Sequence, residues 1–238
     1  MDKALFKASL LAGAEKLNIG IDDACYERLE KLYELMLSEN ERQNLTRIVT
    51  EEDVAEKHML DSLTLSNFLE KGVRLADIGC GAGFPTLPVA CARSDVNITA
   101  VDSTEKRIRY VNETARALGL ENVIAIAARA EELGKKADFR ESFDVCTARA
   151  VASLNVLCEY CLPLVKVGGI FVAMKANARE EIENAKKAIA VLGGRIKEIR
   201  ELRLPFSDSE RTIIVIEKVK ATPLTYPRAG GAISKKPL

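Results

Sequence analysis

The stretch Ala76-Asp77-Ile78-Gly79-Cys80-Gly81-Ala82-Gly83-Phe84-Pro85 decides the fold. It follows a short strand-like run, Val73-Arg74-Leu75, and leads into an apolar segment of helical character. Glycines alternate at 79, 81 and 83. Glycine takes positive φ and has no Cβ, so backbone N–H groups in such a turn can approach a ligand closely. A strand that turns tightly into a helix N-terminus also aims oriented dipoles at that ligand. The stretch reads as a nucleotide-type binding turn. Its spacing is G-x-G-x-G with an aspartate two places ahead, whereas dinucleotide sites carry G-x-G-x-x-G. The turn alone leaves the nucleotide open.

Outward from the turn, the chain alternates strand-like and helix-like segments. Strands are predicted at 73–79, 97–102, 123–127, 143–148 and 169–174, with helices at 86–93, 104–118, near 131–138 and at 149–165. This interval predicts a mainly parallel sheet with helices on both faces. A further helix at 177–192 stops at Gly193-Gly194, and two extended runs follow at 195–204 and 212–218. With no helix between them, they predict an antiparallel hairpin at the sheet edge, where a dinucleotide half would continue with another βα unit. Ahead of the turn, amphipathic helices are predicted at 2–17 and 21–40, then a short one with Thr50 as N-cap and an acidic first turn. The expected plan is a helical extension over 1–70, a cofactor-binding domain over 71–220 and a basic tail over 221–238.

Composition narrows the class. The 238 residues carry 35 basic and 35 acidic side chains, a formal charge of zero. That argues against non-specific coating of nucleic acid but leaves room for local basic patches. No apolar run approaches the ~18–20 residues that span a bilayer, and the first residues show no signal-peptide pattern. Six cysteines lie among apolar neighbours, which fits reduced thiols in a cytoplasm. A cytoplasmic protein is expected, monomeric, with no membrane and no metal.

Several residues outside the turn are candidates for chemistry. Asp102 ends the second strand, where a carboxylate can accept both hydroxyls of a ribose; capping the next helix from Asp102-Ser103-Thr104 is the structural alternative. Ala130-Glu131 follows the third strand, either beside an adenine ring or as an ordinary acidic helix start. Arg149 and Lys175 end the fourth and fifth strands, and two cations there suit a phosphate-bearing substrate or are solvated strand-end charges. Cys146-Thr147 and the pair Cys158 and Cys161 read as core thiols, since neither a nucleophile partner nor a second ligand pair is evident. His58 is the only histidine, and without a serine or cysteine partner it reads as a supporting or capping group.

The turn Asp77-x-Gly79-x-Gly81-x-Gly83 resembles the cofactor turn of the S-adenosylmethionine-dependent methyltransferases with a Rossmann-like fold, and the antiparallel ending resembles their seven-stranded sheet. A narrower resemblance rests on Asn44-Leu45-Thr46, His58-Met59-Leu60-Asp61-Ser62, Asp77 through Pro85, and Asp102-Ser103-Thr104-Glu105-Lys106-Arg107. Ala148 through Leu154, Ala173-Met174-Lys175 and the tail Tyr226-Pro227-Arg228 through Leu238 complete it. In this order the segments resemble the bacterial small-subunit ribosomal RNA methyltransferase G family, also called glucose-inhibited division protein B. Thr86 stands where that family commonly has glycine, Ala176 likewise, Lys57 replaces a common arginine, and Ile233 stands where proline is usual.

The resemblance implies a class I methyltransferase fold, S-adenosylmethionine as cofactor, and methylation of N7 of a guanine in 16S ribosomal RNA of the small subunit. It implies cofactor contacts from Gly79, Gly81, Phe84, Asp102, Ser103, Thr104, Ala130, Glu131 and Arg149. On the substrate side the candidates are Asn44, Arg149 and Lys175, and no residue is assigned as catalytic. Arg42, Arg47, Lys57, His58, Arg228, Lys235 and Lys236 are further candidates for RNA contact, with the tail ordering on RNA. A small-molecule methyltransferase is the alternative; it would share the cofactor residues and need an apolar lid instead of basic flanks. A nicotinamide oxidoreductase would need the third dinucleotide glycine and a further βα unit.

Overall fold

The structure, a computed structural model, describes residues 1–229 and 231–238. Seven strands form one sheet in the order β3-β2-β1-β4-β5-β7-β6. They are β1 (Arg74–Ile78), β2 (Asn97–Asp102), β3 (Val123–Ala127), β4 (Phe143–Arg149), β5 (Val165–Lys175), β6 (Gly194–Arg203) and β7 (Glu210–Lys218). The first five run parallel, and β7 enters antiparallel between β5 and the edge strand β6. The expected hairpin ending is present. It starts earlier than the sequence reading placed it, at Gly194, because the chain turns through Gly193 at φ 87.

Side chains of successive strand residues point to opposite faces, and here the alternation sorts them into two cores. Leu75, Val145, Val172 and Val215 pack on one face; their neighbours Ala76, Cys146, Phe171 and Ile214 pack on the other. Central strands covered on both sides are therefore apolar at nearly every position. The edge strand β6 instead alternates and carries Lys197, Glu198, Arg200, Glu201 and Arg203, charges that discourage pairing with another sheet.

The first core is roofed by α1 (Lys3–Lys16), α2 (Asp23–Gln43), α5 (Thr86–Ala92) and α6 (Glu105–Ala117), through residues such as Phe6, Leu10, Leu32, Tyr33, Leu87 and Val111. Asp2 and Asp22 cap α1 and α2 by accepting from the backbone N–H of Leu5 at 3.0 Å and Cys25 at 2.7 Å. Between α2 and β1 the chain is helical with a changing pitch. One turn, α3 (Glu51–Asp53), leads into a π-helical segment, Val54–Leu60, then α4 (Asp61–Leu63) and a 3₁₀ segment, Thr64–Phe68. The sequence reading saw a short helix here and not the wide turn. Thr50 precedes it without a side-chain cap. Glu56, buried in the wide segment, accepts from the backbone N–H of Phe206 at 2.6 Å and Ser207 at 2.9 Å, tying the extension to the β6–β7 turn.

The second core lies under α7 (Ala130–Leu133), α8 (Leu154–Cys161) and α9 (Arg179–Val191), and the C-terminal segment with α10 (Ala232–Lys235) packs beside it. Helix α8 starts at Leu154, five residues later than the sequence predicts, since Arg149 still belongs to β4 and 150–153 loops across the strand ends with Ala150 at φ 56. Cys146, Cys158 and Cys161 are all buried in this core. Burial pushes the Cys158 thiol far above its ordinary range.

Candidate active site

Two clefts open side by side at the C-terminal ends of the parallel strands, where open α/β sheets place their ligands. They share Ala150. The first, of about 600 Å³, is bounded by Gly79, by Asp102-Ser103-Thr104 and by Ala130-Glu131, with Val151 and Val156 on the far side. The second, of about 490 Å³, is bounded by Lys57, His58 and Asp61 from the extension, Arg149 and Lys175 from the strand ends, and Glu181 and Arg211.

The turn that opens the first cleft is built by its glycines. Gly79 sits at φ 75, and a Cβ there would lie 2.4 Å from Cγ2 of Val151. Gly83 sits at φ 86, and a Cβ would lie 2.5 Å from Cδ1 of Leu87 in α5. Both positions combine a backbone that favours glycine with space that excludes a side chain. Gly81 donates its N–H to Oδ2 of Asp102 at 3.1 Å, and Thr104 donates its own to Oδ1 at 2.8 Å. Arg107 stands 3.4 Å from Oδ2. The carboxylate is thus fixed in orientation at the cleft wall, so its cap role and its placement for a ligand coexist.

Asp77, at the head of the turn, is fully buried. Its Oδ2 accepts from the Thr86 hydroxyl at 2.6 Å, while Oδ1 has no hydrogen-bond partner among the described residues. Thr86, the position where the resembling family commonly has glycine, therefore supplies a hydroxyl that steadies this carboxylate. Burial pushes the Asp77 carboxyl up to about 6, with the Thr86 hydroxyl and the charge of Arg149 pulling it back. A buried acceptor without a donor is costly; Asp77 lies behind the turn and lines neither cleft.

Phe84 is buried and lines neither cleft, but it touches two residues that line the second. His58 stacks on its ring at 4.4 Å between centroids and 10° between planes, and the Arg149 guanidinium lies 5.7 Å from the same ring. Nε2 of His58 shares a hydrogen bond with Oγ1 of Thr46 at 2.9 Å, and its buried Nδ1 has no partner among the described residues. Burial, then the charge of Arg149, pulls the His58 imidazole down to about 4, against a smaller pull from Asp53. At neutral pH it is an uncharged ring stacked on Phe84.

The cations of the second cleft are organised by carboxylates. Asp61 receives Nη1 of Arg149 on Oδ2 at 3.0 Å and Nε of Arg211 on Oδ1 at 3.1 Å. Lys175 pairs with Oε2 of Glu181 at 2.8 Å and donates to the carbonyl of Ala152 at 2.8 Å. Arg149 also donates to the carbonyl of Lys57 at 3.1 Å. These are oriented, half-desolvated groups and not solvated strand-end charges.

Of the residues singled out in the sequence, Gly79, Asp102, Ser103, Thr104, Ala130 and Glu131 line the first cleft. Gly81 acts through Asp102, and Phe84 through its contacts with His58 and Arg149. Arg149 lines the second cleft together with Lys175. Asn44 lines neither: it is the exposed αL residue, φ 50, that ends α2. Asp61, Glu181 and Arg211 carry no local signal that assigns them a role, since strand register and helix packing alone bring them together. Ser234 and Pro237 are a second surprise, because the tail forms part of the first cleft's wall. Ile233 is fully buried there, and Arg228 is bound to Glu159. The tail was expected to order on RNA; here it is packed against the body of the protein.

A family profile described as rRNA small subunit methyltransferase G matches residues 25–213. The chain belongs to that family. It is 44% identical to the ribosomal RNA small subunit methyltransferase G of Acetivibrio thermocellus, over 96% of this chain and 95% of that relative. The protein of that name from Alkaliphilus metalliredigens is 46% identical, over 98% of each chain. Among solved structures, M. jannaschii TYW2 in complex with AdoMet aligns with a TM-score of 0.54 at 15% identity, covering 68% of this chain and 76% of that one. A geranyl diphosphate C-methyltransferase from Streptomyces coelicolor A3(2), solved with S-adenosyl-L-homocysteine, aligns with a TM-score of 0.52 at 13% identity, covering 67% and 79%. At such identities the likeness is one of fold: the Rossmann-like class I methyltransferase sheet, here preceded by N-terminal helices. No helix among the described residues is long and apolar enough to cross a membrane.

Proposed function

We propose that this member of the rRNA small subunit methyltransferase G family uses S-adenosylmethionine to methylate N7 of a guanine in 16S rRNA, in the cytoplasm. The observation that carries the reading is the pair of adjoining clefts, one walled by the glycine turn, Asp102 and Ala130-Glu131, and the other lined by oriented cations and an uncharged His58. When bound, S-adenosylmethionine supplies an electrophilic methyl group on a sulfonium centre. Asp102 would accept the ribose hydroxyls, Ala130 and Glu131 would flank the adenine, and the 79–83 turn with Asp77 would hold the amino-acid end.

Guanine N7 carries an in-plane lone pair and no proton, so the chain needs no general base. The residues around the second cleft are left with alignment and field. Alignment of reacting groups is worth several kcal/mol, and fixed charges around a dry site add to it. Arg149 and Lys175 would meet RNA phosphate or base oxygens, while Phe84 and His58 would keep water from the junction between the clefts. The test is transfer of labelled methyl from S-adenosylmethionine to 30S subunits, followed by borohydride reduction and aniline scission, which cut RNA at N7-methylguanosine. A single cut in 16S rRNA is expected; labelled RNA that resists scission would reject N7, and unlabelled RNA would reject the substrate.

A further inference from the structure

We propose that the Glu181–Lys175 pair reads the Watson–Crick edge of the target base and so selects guanine over adenine. This rests on the N7 reading above. If N7 faces the methyl donor, the arginine fork that commonly grips guanine at N7 and O6 is not available. Adenine carries the same N7 lone pair, so the reaction itself does not tell the two purines apart. Discrimination must come from the remaining edge. Guanine shows there an acceptor, O6, followed by two donors, N1–H and the 2-amino group; adenine shows a donor followed by an acceptor.

A protein acceptor for those two donors has to come from the wall of the second cleft. Two carboxylates line it, Asp61 and Glu181. Asp61 is spent, with one oxygen on Arg149 and the other on Arg211. Glu181 differs: Oε2 takes both Lys175 Nζ at 2.8 Å and the backbone N–H of Leu154 at 2.7 Å, and no described residue donates to Oε1. The carboxylate is therefore held by one oxygen and free at the other. Lys175 completes the pattern. Its ammonium has three protons, of which Glu181 and the carbonyl of Ala152 take two. A free donor next to a free acceptor is the complement of O6 beside the two donors N1–H and the 2-amino group, which one carboxylate oxygen can accept together. Adenine would set its amino group against the ammonium and its N1 lone pair against the carboxylate, leaving buried polar groups mismatched, which is the arrangement that gives strong rejection.

The experiment uses the full chain, intact 30S subunits and subunits rebuilt with inosine, which lacks the 2-amino group, at the guanine the wild-type enzyme labels. Glu181→Gln keeps an oxygen for the Leu154 N–H and removes the charge. Affinity for S-adenosylmethionine, measured by calorimetry, reports that the variant is folded and its cofactor cleft intact. Expected is a roughly tenfold to hundredfold fall in kcat/KM on normal subunits, cofactor affinity within about twofold, and a wild-type loss on inosine that Glu181→Gln does not deepen. Full activity in Glu181→Gln, or losses from the variant and from inosine that simply multiply, would overturn the pair as the reader of this edge while leaving the N7 reading intact. Absence of N7 label with the wild-type protein would instead remove the reading on which the proposal stands.

Discussion

Arg228 closes on Glu159 from three directions: its backbone N–H at 2.7 Å, Nε at 2.9 Å and Nη2 at 2.6 Å all reach a carboxylate that is 1% exposed. Breaking a buried pair from one side leaves a charge without compensation and costs about 3–5 kcal/mol. The same contact secures the segment that brings Ser234 and Pro237 to the cofactor cleft. Arg228→Ala should therefore destabilise the protein by about that amount in urea unfolding and weaken S-adenosylmethionine binding. Lysine, with no planar fork, should restore only part of either. A folded Arg228→Ala with unchanged cofactor affinity would falsify the tail's part in the cleft.

Asp77 trades stability for its ligand. Its carboxyl titrates near 6 in the folded chain against about 4 unfolded, so the folded state binds the extra proton between those values. The contribution is present below about pH 4 and is lost as pH rises through 6. Asp77→Asn removes the charge and keeps a partner for Thr86. The cofactor-free variant should be more stable than wild type at pH 7, by on the order of 1–3 kcal/mol, with the difference vanishing near pH 4. Its affinity for S-adenosylmethionine should fall at least tenfold. Calorimetry and denaturant curves at three pH values check both halves.

His58 works in the opposite sense. Its imidazole is depressed to about 4, so the stability that comes from keeping it neutral is present above its unfolded value of about 6.5. That stability is lost as pH falls through 4. His58→Gln should lessen the loss of stability between pH 6.5 and pH 4 by on the order of 2–3 kcal/mol. If the two proteins lose stability in parallel over that window, the buried neutral ring is not responsible.

Asp61 is the hinge of the substrate side, since Arg149 arrives from β4 and Arg211 from β7 and each takes one of its oxygens. Asp61→Asn leaves two guanidinium groups facing one another with a neutral amide between them. Methyl transfer to 30S subunits should drop at least tenfold, while cofactor affinity stays within about threefold, because Asp61 lines only the second cleft. Equal losses in both would mean the two clefts are not separable.

What could be read in the sequence was local. The glycine turn, the strand-end Asp102 and Ala130-Glu131 each sit within a few residues of a strand whose alternation announces it, and all of them line or brace the first cleft. The antiparallel ending was equally plain, because two apolar runs with no helix between them have few other ways to pair. The second cleft was half legible. Arg149 and Lys175 showed themselves as cations at strand ends, yet their carboxylate partners lie 88 residues away at Asp61 and six away at Glu181, across packing that no spacing rule encodes. Asn44 drew attention through its neighbours; Thr46, two residues on, is the one that touches His58. The π-helical pitch over Val54–Leu60 had no signature at all, although it sets which face carries His58.

Glu56 and Asp61 leave the ribosome well before their partners at Phe206, Ser207 and Arg211, which lie 150 or 151 residues later. Closing a loop of that length is slow, and contacts of this kind dominate folding time. A nascent chain that stops short of residue 206 leaves Glu56 without its backbone donors, and one that stops short of Arg211 leaves Asp61 with Arg149 alone. The extension is therefore completed only when the last strand arrives, and a product truncated before residue 211 should be recognised as unfinished by any protease that samples open helices. The first seventy residues are thus synthesised early and sealed late.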